Sequence, residues 1–183
     1  MTTPEPYPPI HGAAVETIAR LLAHERLMSI GVNRPDGWPQ VTTVGYINDG
    51  LNLYFVTSRE SQKLANLQAD PRVAISIHSS IEVGGAVGVS MAARAVEVRD
   101  SAEVERLNQM MFERWPMVSV YCPATSSVAI IQLKPELICA ISASAGRSRT
   151  ECFSLGDAAA EAFPHQAVPG AGPDAVSAEA RLF

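Results

Sequence analysis

The sequence contains no run approaching the roughly 18 uncharged apolar residues that a membrane-spanning helix requires. Its first residues, MTTPEPYPPIH, lack a basic start followed by an apolar stretch. No secretory signal is therefore expected, and the expected location is cytoplasmic. Basic residues are few and scattered: 14 Lys and Arg against 19 Asp and Glu leave a net charge of −5. Non-specific nucleic-acid binding needs clustered cations to displace counterions from phosphates, so neither nucleic acid nor a membrane is an expected partner. A local site for one small anion stays allowed. Cysteine is scarce too. Cys122, Cys139 and Cys152 are odd in number, far apart and form no C-x-x-C, which suggests neither a disulfide framework nor a zinc site. The histidines His11, His24, His78 and His165 share no metal-ligand spacing. Paired carboxylates and Ser–His–Asp or Cys–His sets with readable spacing are also missing, which leaves hydrolytic mechanisms without a candidate.

What is present is the material of one globular domain. Hydrophobic residues make up 47% and charged residues 18% of 183 positions, enough for a single core. Four prolines among the first nine residues predict an extended arm over residues 1–12. Over residues 13–25, Val15, Ile18, Leu21 and Leu22 recur at helical spacing, so this helix buries one face. A meander follows. Residues 27–32 read as a strand, Arg34-Pro35-Asp36-Gly37 as a turn, and residues 40–47 (QVTTVGYI) as a β-branched strand. Asn48-Asp49-Gly50 turns the chain into residues 51–57, predicting three consecutive antiparallel neighbours. A short helix over 60–69 ends at Asp70-Pro71. Strands follow at 72–78 and 87–98, then a helix over 101–115 with Ser101 as N-cap, and strands near 128–133 and 137–142. Helices do not alternate with strands. The fold class is therefore mainly β with flanking helices (α+β), an antiparallel barrel over residues 13–155. Residues 156–183 turn Ala-, Gly- and Pro-rich and read as a tail.

The stretch that carries chemistry is LNLYFVTSRESQKLANLQADPRVAISI, residues 51–77. A strand ends in Thr57, hydroxyls recur at Ser58 and Ser61, Lys63 follows and a helix begins. Such a junction offers unpaired amides and the positive end of a helix dipole, which attract an anion. The same residues also fit a capping box, Thr57-x-x-Glu60, with Lys63 an ordinary exposed lysine. Spacing alone leaves both readings open. Arg94, in mid-strand, can serve a bound ring, a dimer contact or solvent. Trp115-Pro116 can stack on a ring or fill the core.

The order Asp36-Gly37-x-Pro39, hairpin, strand ending in Thr57, Ser61-Gln62-Lys63, Asn66-Leu67 and Asp70-Pro71-Arg72-Val73 resembles the pyridoxamine 5′-phosphate oxidase-like family of FMN-binding split β-barrels. The resemblance implies an antiparallel split β-barrel that binds flavin mononucleotide (FMN). Its phosphate falls to Thr57, Ser61, Gln62 and Lys63. Its ring falls to the strand Val41, Thr42, Thr43 and Val44, with Val56 a further contact. Gln62 stands where the family often has arginine, so the site carries one cation fewer. The resemblance also implies a homodimer with the cofactor at the subunit interface and flavin-mediated redox of a small organic substrate. The family further holds deazaflavin-dependent reductases and haem-binding members; for haem, His78 is the candidate ligand. The C-terminal basic and aromatic context that holds substrate in the true pyridoxamine phosphate oxidases is absent, so vitamin B6 oxidation is not implied.

Overall fold

A computed structural model describes residues 7–81, 85–116, 127–144 and 147–155. The expectations for Cys122, His165, residues 1–6 of the arm and the 156–183 tail lie outside the described residues. The elements run α1 (Ala13–His24), β1 (Leu27–Asn33), β2 (Pro39–Gly45), β3 (Ile47–Asp49), β4 (Asn52–Ser58), α2 (Gln62–Ala69), β5 (Arg72–Ile81), β6 (Gly85–Glu97), α3 (Ser101–Arg114), β7 (Val128–Ser144) and β8 (Arg147–Ser154). All eight strands join one antiparallel sheet in the order β2-β1-β5-β6-β7-β4-β3, with β8 added to β7.

That order has a geometric consequence. β2 and β3 lie at opposite ends of the sheet, yet Tyr46 alone separates them in sequence. One residue spans only about 3.5 Å, so the sheet must curl until its two ends meet. This is the split β-barrel, closed by the chain itself. It also corrects the expected three-strand meander. Residues 39–45 pair with β1, and only Ile47 to Asp49 turn back on β4. Tyr46 pins the corner: its ring is buried and its hydroxyl donates to the Leu22 carbonyl at the end of α1 (2.8 Å). Burial pushes that phenol well above its ordinary pKa.

Val15, Ile18, Leu21 and Leu22 form the buried face of α1, as their spacing predicts, and pack on the inward residues of the sheet, Ile30, Leu53, Ile77 and Leu133 among them. Each such side chain contributes about 1.5–3 kcal/mol on burial. A satellite cluster forms where Val104, Leu107 and Met111 of α3 cover Ile47, Tyr54 and Ile130. The N-cap of α3 is Asp100, which accepts from the Glu103 amide (2.9 Å), rather than Ser101.

The strands expected at 128–133 and 137–142 are one strand. Pro135 sits opposite Ala93 and Leu137 opposite Ala92, so Glu136 is the extra residue of a bulge, one of the places where a sheet tolerates proline. A second correction concerns the cysteines. Cys139 and Cys152 face each other across β7 and β8 and form a disulfide. Thirteen residues apart in sequence, they become direct neighbours once β8 folds back. β8 also holds the N-terminal arm: the Ser154 amide donates to the Pro8 carbonyl (2.9 Å) and the Ile10 amide to the Ser154 carbonyl (3.1 Å).

Candidate functional site

The junction between β4 and α2 gathers the hydroxyls that its sequence promises. Thr57 is buried at the end of β4, and its Oγ1 lies 3.0 Å from Ser61 Oγ. Ser61, not Thr57, is the N-cap of α2: its hydroxyl accepts from the Leu64 amide (3.1 Å), and its carbonyl from the Ala65 amide (3.2 Å). The capping box Thr57-x-x-Glu60 is therefore not formed. The first-turn amides of Gln62 and Lys63 have no acceptor within the helix, the usual situation at a helix start. Lys63 lies with its ammonium 5.6 Å from the centroid of the Phe55 ring. Burial lowers its pKa, and among the described residues no carboxylate shifts it back. Two hydroxyls, two amides and one cation thus share one helix start.

Gln62 does not join them. Its amide donates to Asn66 Oδ1 (3.0 Å), and the fully buried Asn66 donates in turn to Gln40 Oε1 (3.2 Å). This chain of amides ties α2 to β2. Along β2, Gln40, Thr42 and Val44 are half-buried and share the inward face, whereas Val41, at 66% exposure, and Thr43 face out. The predicted ring strand is therefore split: Thr42 and Val44 look toward the site, Val41 and Thr43 away from it. Thr42 Oγ1 is buried without a hydrogen-bond partner among the described residues. It sits between Gln40, which reaches α2, and Val44, which borders a cleft.

That cleft, about 450 Å³, is lined by Leu27, Val44, Gly45, Tyr46, Ile47, Tyr54, Phe55, Val56, Met111 and Trp115. Two predicted residues, Val44 and Val56, belong to it. Trp115 is thus not plain core: it forms one wall. The Arg26 guanidinium stacks 5.1 Å from the centroid of its indole and donates to the Arg114 carbonyl (2.9 Å). Arg114 in turn donates to the Ala23 and Glu25 carbonyls at the end of α1, fixing where α3 stops. Sequence reasoning missed Gly45, Tyr54, Met111 and Arg26, which come from four separate segments with no shared motif.

Two other candidates lie elsewhere. Arg94 pairs with Glu136 (2.5 Å) on the outward face, and His78 is exposed on the outward side of β5. Among the described residues no three His, Cys, Asp or Glu side chains gather into a metal-binding group, and no helix is long and apolar enough to cross a membrane.

Known proteins share this fold. A candidate pyridoxamine 5′-phosphate oxidase from Listeria innocua superposes with a TM-score of 0.57 at 21% identity, covering 68% of this chain and 95% of that one. A FAD-binding protein from Mesorhizobium loti gives 0.59 at 18% identity, over 73% of this chain and 96% of its own. A heme binding protein from Mycobacterium smegmatis gives 0.61 at 17% identity, over 82% and 61%. At these identities the likeness establishes the fold. No curated protein matches the chain in sequence. The profile of the pyridoxamine 5′-phosphate oxidase family, however, matches residues 14–140, and the chain belongs to that family.

Proposed function

We propose that this protein is an FMN-dependent oxidoreductase acting on a small organic molecule. The observation that carries the reading is the start of α2, where Thr57, Ser61 and Lys63 present hydroxyls and an ammonium with no carboxylate partner among the described residues, beside the first-turn amides. A phosphate dianion needs several donors and one cation at a single point. The orphaned hydroxyl of Thr42 supports the fit, since it offers a hydrogen bond on the inward face between the phosphate site and the cleft. Thr57, Ser61, the Gln62 amide and Lys63 hold the phosphate. The strand from Val41 to Val44 and Val56 lie along the ring, β2 being a sheet edge with backbone groups to offer. Bound there, a flavin supplies two-electron transfer, and the protein supplies position and electrostatics.

The working form in this reading is a homodimer whose second subunit completes the site. The outward face of the sheet supports it. Gly31, Ala74 and Ala92 align across β1, β5 and β6, and Ser29, Ser76 and Ser90 form the next row. Charge is absent from both rows, and small side chains let two sheets approach closely. We place the protein in the cytoplasm; fractionation of intact cells that finds it outside that compartment would refute the location.

The absorption spectrum of the protein as purified tests the cofactor. Two flavin bands, with FMN released on denaturation, are expected. A single shorter-wavelength band would assign a deazaflavin instead, and a Soret band haem.

A further inference from the structure

We propose that Asn66 is a positioning residue: through the side-chain chain Gln62–Asn66–Gln40 it sets the spacing between the phosphate end of the flavin site and its ring strand. The proposal rests on the flavin reading above, since it concerns how one ligand spans both.

The topology leaves that spacing to side chains. The start of α2 follows directly on β4, whereas the ring strand is β2. In the sheet these strands lie toward opposite ends, β2 last at one end and β4 beside β3 at the other. They approach each other across the seam of the barrel but share no ladder. A ligand with its phosphate at α2 and its ring along β2 therefore bridges the seam. The covalent link across it is at Tyr46, six residues on from Gln40. Near Gln40 the two sides are held by other means.

Asn66 supplies the contact. It is fully buried, on the face of α2 whose other buried residues are Leu64 and Leu67. Its Oδ1 accepts from Gln62 Nε2 (3.0 Å), and its Nδ2 donates to Gln40 Oε1 (3.2 Å), across 26 positions of sequence. A leucine would fill the same face without burying a polar group, so packing alone does not call for an amide here. What the amide adds is direction, because a hydrogen bond constrains both the distance and the angle at which α2 meets β2. The helix start does not need this chain: Ser61 caps it through the Leu64 amide. The ring strand is likewise held by its ladder with β1. Asn66 thus governs the relation between two half-sites rather than either one alone.

The test titrates the full chain with FMN, with riboflavin and with inorganic phosphate. A ligand that joins two half-sites senses the spacing between them, whereas each fragment senses only its own. Asn66→Leu removes both hydrogen bonds, and the exposed Gln62 and half-buried Gln40 can turn to water. FMN affinity is expected to fall about tenfold or more, with riboflavin and phosphate affinities kept within about twofold. Gln40→Leu breaks the same chain from the β2 side and should give the same selective loss, so it carries the test should Asn66→Leu not fold. The double variant should lose no more than the weaker-binding single one, because both substitutions break one link. Unchanged FMN affinity, an equal loss for all three ligands, or additive losses in the double variant would each overturn the proposal and leave the flavin reading standing. A parent chain that binds no FMN would overturn the flavin reading itself, and the role of Asn66 with it.

Discussion

Lys63 stands in the first turn of α2, and the proposed phosphate site depends on its charge. Replacing it by alanine removes a charged hydrogen bond, so Lys63→Ala is expected to weaken FMN binding by about 1.5–3 kcal/mol in a calorimetric titration. Unchanged affinity would remove Lys63 from the site. Its burial adds a pH dependence with a definite sign. In the free protein the ammonium is disfavoured, so its proton leaves below the ordinary lysine value of 10.5. A bound dianion favours the charged form. Affinity should therefore stay level while Lys63 is protonated and fall as pH rises through its free-protein pKa, an onset below pH 10.5. The fall should vanish in Lys63→Ala. A wild-type affinity that is flat across that range would contradict the assignment. Thr42 makes a complementary case: a buried hydroxyl without a partner is costly unless something bonds it. Thr42→Val should raise the stability of the free protein and lower its affinity for FMN, two shifts of opposite sign that a packing role alone would not produce.

Among the elements, β8 changes the picture most. Its residues, RSRTECFS, show little alternation and are largely exposed over their first half, so no period-2 signal marks a strand. Without β8, Cys139 has no visible partner; with it, the disulfide follows from register. Reducing the bond, or Cys152→Ser, is expected to cost about 2–4 kcal/mol by removing a cross-link from the unfolded chain. Denaturant midpoints measured with and without reductant check this, and coincident midpoints would contradict it. The other elements were legible because their signals are local. α1 announces its buried face through Val15, Ile18, Leu21 and Leu22, and the turns at Asp36-Gly37 and Asn48-Asp49-Gly50 mark the hairpins. What periodicity does not carry is which strands are neighbours. Residues 40–47 look alike in sequence whether they pair with β1, with β4, or with each in turn at a corner such as Tyr46. The hydroxyl-rich start of α2 was legible for the same reason that α1 was: Thr57, Ser61 and Lys63 fall within seven positions. The cleft was not, because Leu27, Gly45, Val56, Met111 and Trp115 meet only after the barrel closes.

At the scale of the whole molecule, the sheet curls until β2 and β3 meet, and that closure brings Val44 and Ile47, from the two ends of the sheet, into one cleft. The opposite face, with its rows of Gly31, Ala74 and Ala92 and of Ser29, Ser76 and Ser90, is where a second copy is expected. Ala74→Arg places a charge in the middle of it, and sedimentation should then report a monomer where the parent chain is a dimer. FMN affinity should drop in the same variant, since the partner completes the site. A dimer that survives the arginine would place the interface elsewhere. The central claim, however, is that this fold holds a phosphate at the start of α2. Titrating the protein with FMN and with riboflavin, which differ by that phosphate, tests it most directly. With about 1.5 kcal/mol or more for each of two charged hydrogen bonds, FMN should bind at least about a hundredfold tighter. Equal affinity for the two would contradict the account.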